Sequence, residues 1–261
     1  MQLLANDELT CLSGSIVLQP KTLRNKMIEE MINNKKEKSE RSGRNELLVI
    51  PPTNAFENID CMEMLKKCPD KHFDLAIVDP PYGIGAAKEK PHNGWKDWGI
   101  KEWDNDSPPE EYFEELFRVS KNQVVWGANH FISKMPHDSS CWLIWDKGQR
   151  NFSLADGELA WASFNKAVRI YEYARGKALT ENKIHPTQKP VALYRWILKR
   201  YAKPGDLILD THVGSGSSLV ACIEGGFDYY GCEIDKDYYN AAQKRIDRAF
   251  RKYELFENEA V

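Results

Sequence analysis

FDLAIVDPPYGIG, residues 73 to 85, joins a run that is apolar on both faces to an acid, two prolines, an aromatic and two glycines. An aliphatic run without a polar face suits a strand covered by helices on both sides, as in the mostly parallel sheets of α/β proteins. Ligands of open α/β sheets bind beyond the carboxyl ends of the strands, so chemistry is expected in the residues after FDLAIV. Neither core packing nor an ordinary turn requires that set. Asp79 supplies a carboxylate, Pro80 and Pro81 stiffen the chain and leave carbonyl acceptors, and Tyr82 offers a flat face. Asp79 and the Pro80 carbonyl can together accept both hydrogens of an exocyclic amino group while a planar base stacks on Tyr82. Gly83 and Gly85 are expected to keep the entrance open.

Working outward, LLVI (47–50) reads as strand-like, and FENIDCMEMLKKC as a short strand followed by a helix. QVVWG (123–127), CWLIW (141–145) and ELAWASF (158–164) are further apolar runs, separated by loops rich in Gly, Pro, Asn and Trp. VALYRWILKRYA is helical, with positions 191, 194, 197, 198 and 201 on one face. LILD is a short buried strand, SSLVACIEGG a helix stopped by glycine, YYGCEID a strand, and KDYYNAAQKRIDRAFRKYE a closing helix. Strands alternating with helices predict a mostly parallel sheet with helices on both faces. Residues 1–45 read as an appendage, with an amphipathic helix from Lys21 to Met31 and then a polar linker.

LILDTHVGSGSS places a strand ending in Asp210 before a turn containing Gly214 and Gly216 and a helix. Glu233 ends the next strand, at the place where a carboxylate can accept from both hydroxyls of a ribose. The spacing is not that of a dinucleotide turn, and Asp210 would repel a pyrophosphate. A sulfonium and an amino group would be attracted instead, which favours S-adenosylmethionine over NAD.

The chain has 261 residues, 42% hydrophobic and 29% charged, enough for one large α/β domain. No apolar stretch approaches the ~20 residues that span a bilayer, and the first residues lack a signal-peptide pattern; a cytoplasmic protein is expected. Six cysteines without metal-ligand spacing read as buried free thiols. The formal net charge is −3, yet residues 146–203 carry twelve Lys and Arg against five Asp and Glu, a local +7. A polyanion-facing side would show such asymmetry, and so would a solvated lysine-rich face.

DPPYG (79–83), HPTQKP (185–190) and DTHVGSGSS (210–218), in this order, resemble the amino-group DNA methyltransferases of the permuted β class. The resemblance spans residues 47–248 and implies a Rossmann-like, circularly permuted S-adenosylmethionine-dependent methyltransferase fold within residues 46–261. It implies that Asp79, Pro80, Pro81 and Tyr82 hold the target base, and that Asp210, Gly214 and Gly216 form the cofactor turn. Glu233 then binds the ribose, Asp60 accepts from the cofactor's adenine amino group, and Thr187 and Lys189 lie near the methionine carboxylate. The strand before Asp60 should lie beside the one ending in Glu233.

No metal is implied. Thr211 and His212 stand where the family usually has proline and phenylalanine, so His212 either loosens packing on the cofactor or adds a hydrogen bond. The implied reaction is methylation of adenine N6 in double-stranded DNA by base flipping. Cytosine N4 transfer is the alternative within the class, and a DNA-binding module with little turnover the alternative outside it. Target recognition is expected from 84–105, with Trp95, Trp98 and Trp103, and from 147–183, with Arg150, Lys166, Arg169, Arg175 and Lys177. Trp142 and Trp161 are expected in the core. The resemblance is compatible with a restriction endonuclease partner and with a monomer or a homodimer.

Overall fold

A strand whose two faces are both aliphatic needs cover on both sides, and β2 (Phe73–Val78) has it. Leu75 and Ile77 enter one core while Ala76 and Val78 enter another. The computed structural model describes residues 48–86, 101–151, 155–174, 176 and 183–259 (for 256–259, backbone only). The expected N-terminal appendage, Trp95 and Trp98, and Arg175 and Lys177 lie outside these residues.

The other strands are β1 (Ala55–Glu57), β3 (Ser120–Trp126), β4 (Cys141–Asp146), β5 (Gly157–Ala162), β6 (Arg169–Glu172), β7 (Leu207–Asp210) and β8 (Asp228–Cys232). They form one sheet in the order β1-β8-β7-β2-β3-β5-β4-β6. From β1 to β3 all neighbours are parallel; β5 runs antiparallel to both β3 and β4, and β6 pairs parallel with β4. The pairing of β1 with β8, Glu57 opposite Cys232, brings the strand before Asp60 beside the one before Glu233, as the rotated chain order implied.

Helices α1 (Cys61–Lys67) and α2 (Glu110–Val119) cover one face with Leu65, Tyr112, Phe113 and Leu116. On the other face α3 (Val191–Tyr201), α4 (Ser217–Gly225) and α5 (Lys236–Glu259) bury Leu193, Ile197, Leu219 and Ile246. Asp60 caps α1, its carboxylate accepting from the Met62 N–H at 2.9 Å. Gly226, in the left-handed region, ends α4. No helix among the described residues is long and apolar enough to cross a membrane.

Three local features differ from the sequence reading. Residues 48–50 are exposed and form no strand; Val49 only donates to the Lys67 carbonyl at 2.8 Å. Helix α2 was not anticipated, although Tyr112, Phe113, Leu116 and Val119 are spaced to share a helical face. Strand β6 was also missed, because it is a largely exposed edge strand and only its pairing with β4 defines it. Cys68, Cys141, Cys222 and Cys232 are buried free thiols and Cys61 is half-buried; burial pushes the Cys61 thiol up to about 12. Trp161 is fully buried, whereas Trp142 is half-buried.

Candidate active site

Strands β2 and β7 are parallel neighbours, with Ala76 opposite Leu209, so their carboxyl ends emerge side by side. Beyond β2 the chain folds into a tight turn around one buried carboxylate. Asp104 Oδ1 accepts from the N–H groups of Tyr82 at 2.7 Å and Gly83 at 2.9 Å, and Oδ2 from Ala86 at 2.7 Å. Gly83 and Gly85, expected only to keep the entrance open, both have φ near +70°, which aims these donors at Asp104. The Tyr82 ring stacks on His130 with centroids 5.0 Å apart, and its hydroxyl donates to Asp79 Oδ1 at 2.8 Å. Gly127 makes room for that ring, since a Cβ there would sit 2.0 Å from Tyr82 Cε1.

The charge on Asp79 is answered from HPTQKP. Lys189 Nζ lies 2.5 Å from Asp79 Oδ2, 3.0 Å from Glu158 Oε2 and 3.1 Å from the Tyr82 hydroxyl. Glu158 Oε1 in turn meets Lys147 Nζ at 2.7 Å. Burial raises the Asp79 pKa against the opposing pull of Lys189. Burial also pushes Glu158 up, but Lys189 and Lys147 outweigh it and hold that carboxyl at about 2. Burial disfavours the Lys189 ammonium, yet its two carboxylates raise its pKa overall, so it stays charged. Asp79, Pro80, Pro81, Tyr82, Thr187 and Lys189 all line one cavity of about 590 Å³, together with His130, Lys147 and Glu158.

The turn after β7 is built around two more acids. Asp210 accepts from the His212 N–H at 3.0 Å and from the Ser218 hydroxyl, and burial pushes its pKa up to about 7. Glu233, mostly buried at the end of β8, accepts from the Gly214 N–H at 2.8 Å and the Asp235 N–H at 2.9 Å. Gly214 and Gly216 both have positive φ, as a turn of this tightness requires. His212 Nδ1 lies 2.9 Å from the Thr211 hydroxyl, which also contacts the Tyr112 hydroxyl at 2.7 Å. Of the two outcomes expected for His212, the structure shows added hydrogen bonding within the turn; burial lowers its pKa to about 4 and keeps it neutral near pH 7.

HPTQKP touches both halves. The His185 ring lies 3.7 Å from where a Gly214 Cβ would be, packed between Trp103 and Tyr238, while Lys189 reaches Asp79. Thr187 bonds to His185 Nδ1 through its N–H at 3.3 Å and its hydroxyl at 3.1 Å. Asp60, Asp210, Gly214, Gly216 and Glu233 stand at the ends of neighbouring strands and do not line the 590 Å³ cavity. The segment read as basic spends part of its charge internally, on Lys147, Lys189 and the Arg150–Asp146 pair at 2.7 Å. Lys166 and Arg169 remain exposed. Sequence reading missed Asp104, Gly127, His130 and Glu158; only the GIG after Tyr82, whose bend needs something to hold it, hinted at an anchor such as Asp104.

A rotated parallel sheet with a glycine turn after one central strand and an acidic proline turn after its neighbour defines the class, the Rossmann-like methyltransferase fold. The structure of the PvuII DNA methyltransferase (cytosine-N4-specific) shares this fold at a TM-score of 0.51 and 12% identity, over 77% of this chain and 93% of that one. Residues 133–244 match the N6/N4 DNA methylase family, a stretch that includes HPTQKP and the glycine turn. Over that stretch the chain is similar to that family. It is 26% identical over 238 residues to the type II methyltransferase M.HinfI of Haemophilus influenzae, covering 72% of this chain and 66% of that protein. It is also 25% identical over 206 residues to YubD of Escherichia coli (strain K12), covering 72% and 87%. The chain thus spans slightly less than two thirds of M.HinfI.

Proposed function

We propose that this protein transfers a methyl group from S-adenosylmethionine to the N6 amino group of adenine in double-stranded DNA. The observation that carries the reading is the Asp79–Tyr82 turn, opening on a cavity and standing beside a glycine turn framed by Asp210 and Glu233. The acids at the glycine turn fit this cofactor. Asp79 and Glu233 each raise the Asp210 pKa further, so a sulfonium or ammonium would relieve their mutual repulsion and a pyrophosphate would worsen it. Glu233 would take the ribose hydroxyls, Asp60 the adenine amino group and Thr187 the methionine end; the bound cofactor supplies the electrophilic methyl.

The remaining work belongs to this chain. A base in the duplex hides its amino group, so it must be flipped out, at a cost of a few kcal/mol that stacking and backbone contacts offset. Asp79 and the Pro80 carbonyl accept the two amino hydrogens, which turns the nitrogen lone pair toward the methyl carbon. As the N–C bond forms and the C–S bond breaks, positive charge moves onto the nitrogen, where the Asp79 carboxylate stabilises it. One amino proton then leaves through Asp79 to water. Residues 84–105 and 147–183, with the exposed Lys166 and Arg169, are the segments assigned to DNA contact.

The test is transfer of labelled methyl from S-adenosylmethionine to DNA by the purified protein, followed by nucleoside analysis. N6-methyladenine is expected, with Asp79→Asn slower by about 10² or more. N4-methylcytosine alone would overturn the choice of base, and equal rates in wild type and variant would overturn the proposed transfer chemistry.

A further inference from the structure

An ammonium has three N–H groups, and that of Lys189 has three acceptors: Asp79, Glu158 and the Tyr82 hydroxyl. Two carboxylates therefore share one buried cation, and among the described residues Glu158 alone of the pair is tied to a second cation, Lys147. The charges alternate along a row that begins with the Asp79 carboxylate and ends with the Lys147 ammonium. No step of the transfer described above uses Glu158. We propose that Glu158 is a positioning residue for methyl transfer: it shares the Lys189 ammonium that pairs with Asp79, so that Asp79 is held in place without being neutralised. The inference rests on the transfer reaction proposed above.

An Asp79 carboxylate paired one-to-one with a buried ammonium would be nearly a neutral dipole. A dipole stabilises charge developing on the amino nitrogen less well than an anion does, and in a poorly solvated cavity the difference is large. Glu158 restores the balance by taking one N–H and part of the field of Lys189. Without it the row would hold two cations and one anion, facing a reaction that moves a positive charge towards them. Lys147 keeps Glu158 ionised and points it at Lys189.

The pH dependence follows from the groups around Asp79. Lys189, Glu158 and Tyr82 touch or directly influence it, and Asp210 from β7 and Tyr194 from α3 couple to it electrostatically. Glu158 raises the Asp79 pKa and Lys189 lowers it. Removing the Glu158 charge therefore eases ionisation of Asp79 and moves the acid limb of the rate profile to lower pH. Removing the Lys147 charge moves the limb to higher pH.

The experiment is single-turnover methyl transfer to DNA, at saturating cofactor and DNA across the pH range, for the wild type, Glu158→Gln, Lys147→Met and the double variant. Expected is a plateau lowered on the order of tenfold in Glu158→Gln, with its acid limb at lower pH. Lys147→Met should shift the limb the opposite way, which keeps the test valid if Glu158→Gln fails to fold. The charge-balanced double variant should recover part of the lost rate. Unchanged profiles, or a lowered plateau with an unmoved limb, would show that Glu158 merely packs and would overturn the inference. No transfer by the wild type would instead overturn the transferase reading, and this inference with it.

Discussion

At the scale of single residues, the site depends on atoms that are absent as much as on those present. Gly127 has φ near +70° and lies against the Tyr82 ring, so Gly127→Ala adds both backbone strain and a clash at 2.0 Å. Expected are a destabilisation of about 1–3 kcal/mol and a fall in transfer rate of at least about tenfold as Tyr82 leaves Asp79. Chemical denaturation and single-turnover assays read these separately, and a wild-type rate would show that the ring position is unimportant. Asp210 makes a different kind of demand. Its pKa is pushed up to about 7, so the folded protein binds this proton more tightly than the unfolded chain does. The resulting stability is present below the ordinary carboxylate pKa and lost as pH rises through about 7. Asp210→Asn is therefore expected to melt above the wild type at pH 8, by up to about 4 kcal/mol on the scale of 1.36 kcal/mol per pKa unit, with the gain shrinking towards pH 4. The same variant should lose cofactor binding by calorimetry; a constant gain at all pH values would exclude the buried-charge account.

At the scale of elements, the turn after β2 is held from a distance. Asp104 gathers three N–H groups from the turn and, at 2% exposed, has no water to substitute for it. In Asp104→Asn one carboxylate oxygen becomes an amide that cannot accept, so a buried N–H is left unpaired at a cost of about 1–3 kcal/mol. The expected result is a lower kcat with little change in KM for S-adenosylmethionine, because the cofactor turn is not touched. A rise in KM alone would place Asp104 on the cofactor side. Strand β2, the turn after β7, and α3 with its preceding HPTQKP were all readable from the chain, because their apolar periodicity, prolines and glycines act locally. Helix α2 carried an equally legible period. Asp104 was not readable as an anchor, since an acid in a polar loop looks the same whether it faces water or three amides.

At the scale of the whole molecule, the sheet order sets distances that no local feature can. Pairing β1 with β8 and β2 with β7 aligns Asp60, Glu233, Asp210 and Asp79 along one edge. A cofactor bound there contacts the ends of several strands and should stabilise the fold globally. At a hundred times its Kd, S-adenosylmethionine is expected to add about 2.7 kcal/mol, or roughly 5–10 °C in Tm, whereas NAD should add nothing. A thermal shift produced by NAD alone would point to a dinucleotide site and against this reading.

What the chain determined by itself was the set of strands and helices with strong periodicity, the fold class, and the residues of its three motifs. Each of these is encoded in a few contiguous positions. Only the tertiary structure decided that Lys189 turns to Asp79 and Glu158, that Gly127 accommodates Tyr82, and that Lys147 and Lys189 of the basic segment are paired inside. Charge pairing and steric fit depend on which side chains meet across the sheet, and residues 79, 158 and 189 meet only after three separate strands and a helix entry have folded together.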